Sequence, residues 1–147
     1  MNNHITYMQE CIALGKTANT SKHFPVGALI VKDNQVIGKG LGHVLSPKDT
    51  VLSAEIKAVQ DALKNTKSKT LKGCTLYTTH EPAIKCSYAI RHCNFDALVY
   101  GSNSHTNQLS SNIKTMLTKK VAKWKNPLKI VSGVLEKQCN ELLKKAV

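Results

Sequence analysis

Two short stretches of the 147-residue sequence carry side chains suited to chemistry as well as to filling a core: Ser53-Ala54-Glu55, and His80-Glu81-Pro82-Ala83-Ile84-Lys85-Cys86. Glu55 stands at the start of a helix-forming run. There a carboxylate can move protons, or simply face the positive end of the helix macrodipole, an effect worth ~0.3–1 kcal/mol at exposed sites. Ser53 is of a type preferred for capping a helix. Cys86, near a second helix start, is either a small buried hydrophobe or a thiol whose pKa the helix terminus lowers. His80 stands three residues before Ala83, on an expected loop. With Cys86 and Glu55 it makes an irregular metal site in one reading, and in the other it is an ordinary polar loop residue.

These residues need a scaffold that brings two helix starts together. Ile5, Met8, Ile12 and Ala18 recur at helical spacing, so residues 4–18 should form an amphipathic helix. Val26 to Val31 and then Val36-Ile37 are apolar, β-branched runs separated by Lys32-Asp33-Asn34-Gln35, which reads as a hairpin with a tight turn. Ala54, Ala58, Val59 and Ala62 form one buried stripe, predicting a helix over Ser53 to Ala62. Cys74 to Thr79 reads as a strand, Pro82 as the first turn of a helix, and Ala97 to Tyr100 as the next strand. Ile113, Met116, Leu117, Val121 and Trp124 predict a further helix ended by Pro127. Leu128 to Val131 predicts a last strand, and Leu135, Cys139, Leu142 and Leu143 a closing helix. The string α-β-β-α-β-α-β-α-β-α implies an α/β protein: a mixed five-stranded sheet with helices on both faces, since parallel strands need crossover helices.

Length bounds this to one domain, residues 1–147. With 41% hydrophobic and 20% charged residues, disorder and a small disulfide scaffold are excluded. The five cysteines are odd in number and scattered, which favours reduced thiols. No apolar run reaches the ~20 residues of a membrane helix and the first ten residues are polar, so no membrane association and a cytoplasmic location are expected. A net charge of +12 attracts polyanions, but Arg91 is the only arginine among 21 Lys and Arg, whereas specific phosphate and base readout prefers the guanidinium.

Taken together, the motifs and the element order resemble the zinc-dependent cytidine deaminase-like superfamily, whose signature is H-x-E followed by P-C-x-x-C. The branch most resembled is that of guanine, deoxycytidylate and tRNA-adenosine deaminases, because a further parallel strand and helix follow Tyr100. The likeness runs along nearly the whole chain. Phe24 to Val31 resembles the first hairpin strand, Gly73 to Tyr77 the strand before the second metal motif, and Gly133-Val134-Leu135 with Cys139 and Leu142-Leu143 the closing helix. The resemblance implies a three-layer α-β-α fold. It also implies one His and two Cys holding zinc, which lowers the pKa of a bound water while a Glu shuttles protons.

The metal half of that pattern is broken here. Ser53 stands where the family has its His ligand and Ala83 where it has its first Cys, so Cys86 is the only surviving ligand, while Glu55 matches the proton shuttle. Cys93 lies about 10 Å further along the helix, too far to share a zinc with Cys86. At the substrate end, Gly42 follows where the family places an Asn, with His43 next; Gly42, His43 and Pro82 are the expected pocket residues. Lys85 fills a slot usually apolar. The leading expectation is therefore a pseudoenzyme with Glu55 as a relic. It needs no cofactor, and it keeps a nucleobase-type pocket for a nucleobase or nucleotide, or serves as a subunit in a homodimer or beside a catalytic paralogue. One alternative is an active zinc-dependent deaminase with a site rebuilt from Cys86, His80 and Glu55. The other is a basic RNA-binding module.

Overall fold

The computed structural model describes residues 3–17, 24–44, 53–82, 84–102, 117–119 and 128–144. Helix α1 (His4–Lys16) is followed by strands β1 (Phe24–Lys32) and β2 (Gln35–Val44), helix α2 (Ala54–Thr66), strand β3 (Thr75–His80), helix α3 (Ile84–His92), strands β4 (Ala97–Ser102) and β5 (Lys129–Val131), and helix α4 (Glu136–Lys144). The five strands lie in the order β2-β1-β3-β4-β5. β1 pairs antiparallel with β2 and β3, whereas β3, β4 and β5 are parallel. This is the mixed α/β sheet expected from the sequence, with α1 and α4 on one face and α2 and α3 on the other. The predicted Ile113 to Trp124 helix lies outside the described residues except at Leu117, which is buried in the core.

Strand alternation builds two cores. Ala28 and Ile30 of β1, Leu76 of β3 and Leu98 of β4 face α2 and α3; Leu29 and Val31, Tyr77 and Val99 face α1 and α4. Each fully buried aliphatic side chain of this kind contributes roughly 1.5–3 kcal/mol. The hairpin turn is carried by Asp33 (φ 51°) and Asn34 (φ 63°), both in the left-handed region that a two-residue turn of the right twist requires.

β2 departs most from expectation. The sequence suggested a strand at Val36-Ile37 running out into glycines, yet β2 continues through Gly38, Gly40 and Gly42 to Val44. Gly42 and His43 are therefore strand residues and not the loop that follows one. The glycines serve packing: a Cβ at Gly40 would lie 1.9 Å from the Ala54 carbonyl oxygen, and one at Gly42 2.7 Å from the Ala54 nitrogen. Only a bare strand lets the backbone of α2 lie so close. Side chains of α2 then bind the edge of β2. Asp61 Oδ2 accepts from the Lys39 nitrogen at 2.9 Å, while Lys57 Nζ and Asn65 Nδ2 donate to the Leu41 and Ile37 carbonyls at 3.0 and 2.9 Å. Bonding the exposed edge in this way also blunts it against pairing with other chains.

Candidate functional site

These contacts hold α2 against β2, with its first turn over Gly40 and Gly42. Ser53 has extended backbone (φ −71°, ψ 170°) and caps α2, its Oγ accepting from the Ile56 nitrogen at 3.4 Å. Glu55, two residues on, is 5% exposed, and its carboxylate turns inward toward the sheet. Thr78 of β3, fully buried, donates from Oγ1 to Glu55 Oε2 at 2.8 Å. From the start of α3, Cys86, 1% exposed, brings Sγ to 3.9 Å from Glu55 Oε1 and 2.9 Å from Ser53 Oγ. Three elements thus converge on a small polar cluster beneath two helix N-termini.

Of the residues singled out from the sequence, Ser53, Glu55 and Cys86 meet here. His80 does not lie on a loop; it is the last residue of β3, because the strand runs one residue further than its apolar pattern. Its Nδ1 is 3.0 Å from the Glu81 carbonyl oxygen. Gly42 lies under the first turn of α2 and Pro82 is fully buried. Ala83 and the side chain of His43 lie outside the described residues. Next to the cluster, buried Glu81 accepts from Tyr100 Oη at 3.2 Å, and its nitrogen donates to the Ser102 carbonyl at 2.8 Å. Burial, and then the charge of Glu81, push the Tyr100 phenol up to about 12, so it stays a neutral donor. Sequence reasoning missed Thr78 and Tyr100. The one signal for Thr78 was its alternation with Leu76, which puts both on the α2 face.

The donor set does not fit zinc. Serine hydroxyls are not among its usual ligands and alanine offers no donor. An oxygen and a sulfur bound to one tetrahedral zinc, at ~2.0–2.2 and ~2.3 Å, stand about 3.5 Å apart. Ser53 Oγ and Cys86 Sγ, at 2.9 Å, are in direct contact instead. Among the described residues no group of three His, Cys, Asp or Glu is arranged to hold a metal ion, and Cys86, His80 and Glu55 are all among those described. The cluster can store and pass a proton.

A family model, the cytidine and deoxycytidylate deaminase zinc-binding region, matches residues 1–102. The chain belongs to this deaminase family. A tRNA-specific adenosine deaminase of Buchnera aphidicola subsp. Baizongia pistaciae is 36% identical to it over 140 residues, spanning 93% of this chain and 84% of that one. A solved structure from work on A-to-I editing by tRNA:A34 deaminases at the wobble position has a TM-score of 0.74 at 23% identity, over 94% of this chain and 99% of that one. A diaminohydroxyphosphoribosylaminopyrimidine deaminase/5-amino-6-(5-phosphoribosylamino)uracil reductase from Thermotoga maritima gives 0.71 at 24%, over 96% of this chain but 39% of that one. This chain thus spans about two fifths of that longer protein, with which it shares a fold.

Proposed function

We propose that this chain is a non-catalytic member of the deaminase family, a single domain whose zinc centre has been lost. The observation that carries the reading is the direct Ser53–Cys86 contact at 2.9 Å, formed by two residues that stand where family motifs place metal ligands. Glu55 keeps the position of a proton shuttle but has no activated water to serve. It is a relic acid whose present partners are Thr78 and Cys86.

The ligand class we favour is RNA bearing an unpaired base, held without turnover. Two features support it: the tRNA-specific adenosine deaminase among the relatives, and a net charge of +12. A second copy of the chain or a catalytic relative is the partner this reading gives it. On the other side stands the zinc-binding description of the family model, which favours a working enzyme.

Elemental mass spectrometry on protein purified without chelator, paired with ammonia release from tRNA, adenosine, cytidine and guanine, separates the two. The expected result is zinc far below one per chain and no release. Zinc-dependent turnover that disappears in Glu55→Gln overturns the proposal. Zinc that is also lost in Cys86→Ala would assign the metal to the rebuilt site.

A further inference from the structure

This inference rests on the metal-free reading above. We propose that Ser53, Cys86, Glu55 and Thr78 form a polar tie that joins the starts of α2 and α3 to β3 and takes over the structural task of a metal ion.

The tie is directional. Ser53 Oγ accepts from the Ile56 N–H at 3.4 Å, which leaves its own hydrogen to point at Cys86 Sγ, 2.9 Å away. The Cys86 thiol then donates to Glu55 Oε1 at 3.9 Å, and Thr78 Oγ1 donates to Glu55 Oε2 at 2.8 Å. The Thr78 hydrogen is shared between Glu55 Oε2 and the His80 carbonyl at 3.3 Å, the nearer carboxylate taking the larger part, and the chain ends on a carboxylate with both oxygens engaged. That carboxylate sits in the first turn of α2, where the macrodipole favours negative charge. Thr78, Cys86 and Glu55 are 0%, 1% and 5% exposed, so water competes poorly for these bonds and linked donors strengthen one another. α2 lies mainly on β2 and β1 and otherwise touches α3 sparingly. A bond between their first turns fixes a relationship that packing leaves loose.

The test is urea unfolding of the full chain, with and without EDTA or added zinc, for wild type, Ser53→Ala, Cys86→Ala and the double variant. The tie predicts a midpoint unmoved by either addition, and a loss in the double variant smaller than the sum of the single losses. Additive losses in zinc-free protein overturn the tie and leave the proposed function standing. A midpoint that EDTA lowers, with one zinc per chain, overturns both. Should Cys86→Ala not fold, Cys86→Ser and Cys86→Val decide the matter. A buried hydrophobe is replaced better by valine and a donor by serine, so the tie predicts the higher midpoint for serine, and the reverse order overturns it.

Discussion

Thr78 places a hydroxyl under a buried carboxylate from a strand position that would otherwise suit a valine. Thr78→Val keeps the shape and removes the donor, leaving Glu55 Oε2 without its 2.8 Å bond in a site closed to water. Such a loss costs about 1–3 kcal/mol, and urea unfolding at pH 7 should show it; an unchanged midpoint would mean that the bond adds nothing. Glu55→Gln, in contrast, keeps an oxygen to accept from Thr78 but not a charge, and on the non-catalytic reading it leaves RNA affinity unchanged in a filter-binding titration. Glu55 and Cys86 were legible in the sequence because their types are chemical and they stand at helix starts. Thr78 and Tyr100 were not, since a threonine or tyrosine in a strand is ordinary until the β3–β4 register fixes what it faces. The direct contact between Ser53 and Cys86 was likewise invisible: a capping serine and a lone cysteine 33 residues apart give no sign of touching.

Among the elements, β2 depends on close approach to a helix backbone. Gly40→Ala puts a methyl 1.9 Å from the Ala54 carbonyl oxygen, which is backbone and cannot swing aside. α2 must lift, carrying Ser53 and Glu55 with it, at a cost of about 1–3 kcal/mol; a thermal melt within a degree of wild type would refute this contact. β2 was the element least legible in the sequence, because glycines signal turns when read locally. Here they are what a strand needs to lie under a helix backbone. The continuous apolar, β-branched runs of β1, β3 and β4 were legible because both faces are buried against helices. α1 carries a pH dependence of its own. His4 Nδ1 is 2.8 Å from Tyr77 Oη, and burial, then the charge of Lys129, hold its pKa below the ordinary 6.5. The unfolded chain binds this proton more readily than the folded one, so the contribution is complete above pH 6.5 and is lost as pH falls through the lower folded value. The urea midpoint of wild type should therefore drop between pH 7.5 and 5.5 by more than that of His4→Gln. Equal drops would place the sensitivity elsewhere.

At the scale of the whole molecule, a charge of +12 must act almost entirely through lysine, since the single arginine is spent inside. Arg91 is 2% exposed, and its Nη1 donates to the Leu117 carbonyl at 2.8 Å, so it belongs to the frame that joins α3 to the core. Lysine ammonium groups meet phosphates as point charges and lack the planar fork that reads a guanine edge or grips phosphate in two places. RNA binding by this protein should therefore be strong in its salt dependence and weak in its sequence preference. If 6–10 phosphates are contacted, affinity falls by roughly 10³–10⁵ between 50 and 200 mM salt. Fluorescence anisotropy with a tRNA anticodon stem-loop and with an unrelated hairpin of equal length should give parallel, steep lines of log affinity against log salt, the two separated by less than tenfold. A flat line would remove RNA as the ligand class. Steep lines far apart would mean that base contacts from groups other than arginine supply the separation, because the single arginine is buried.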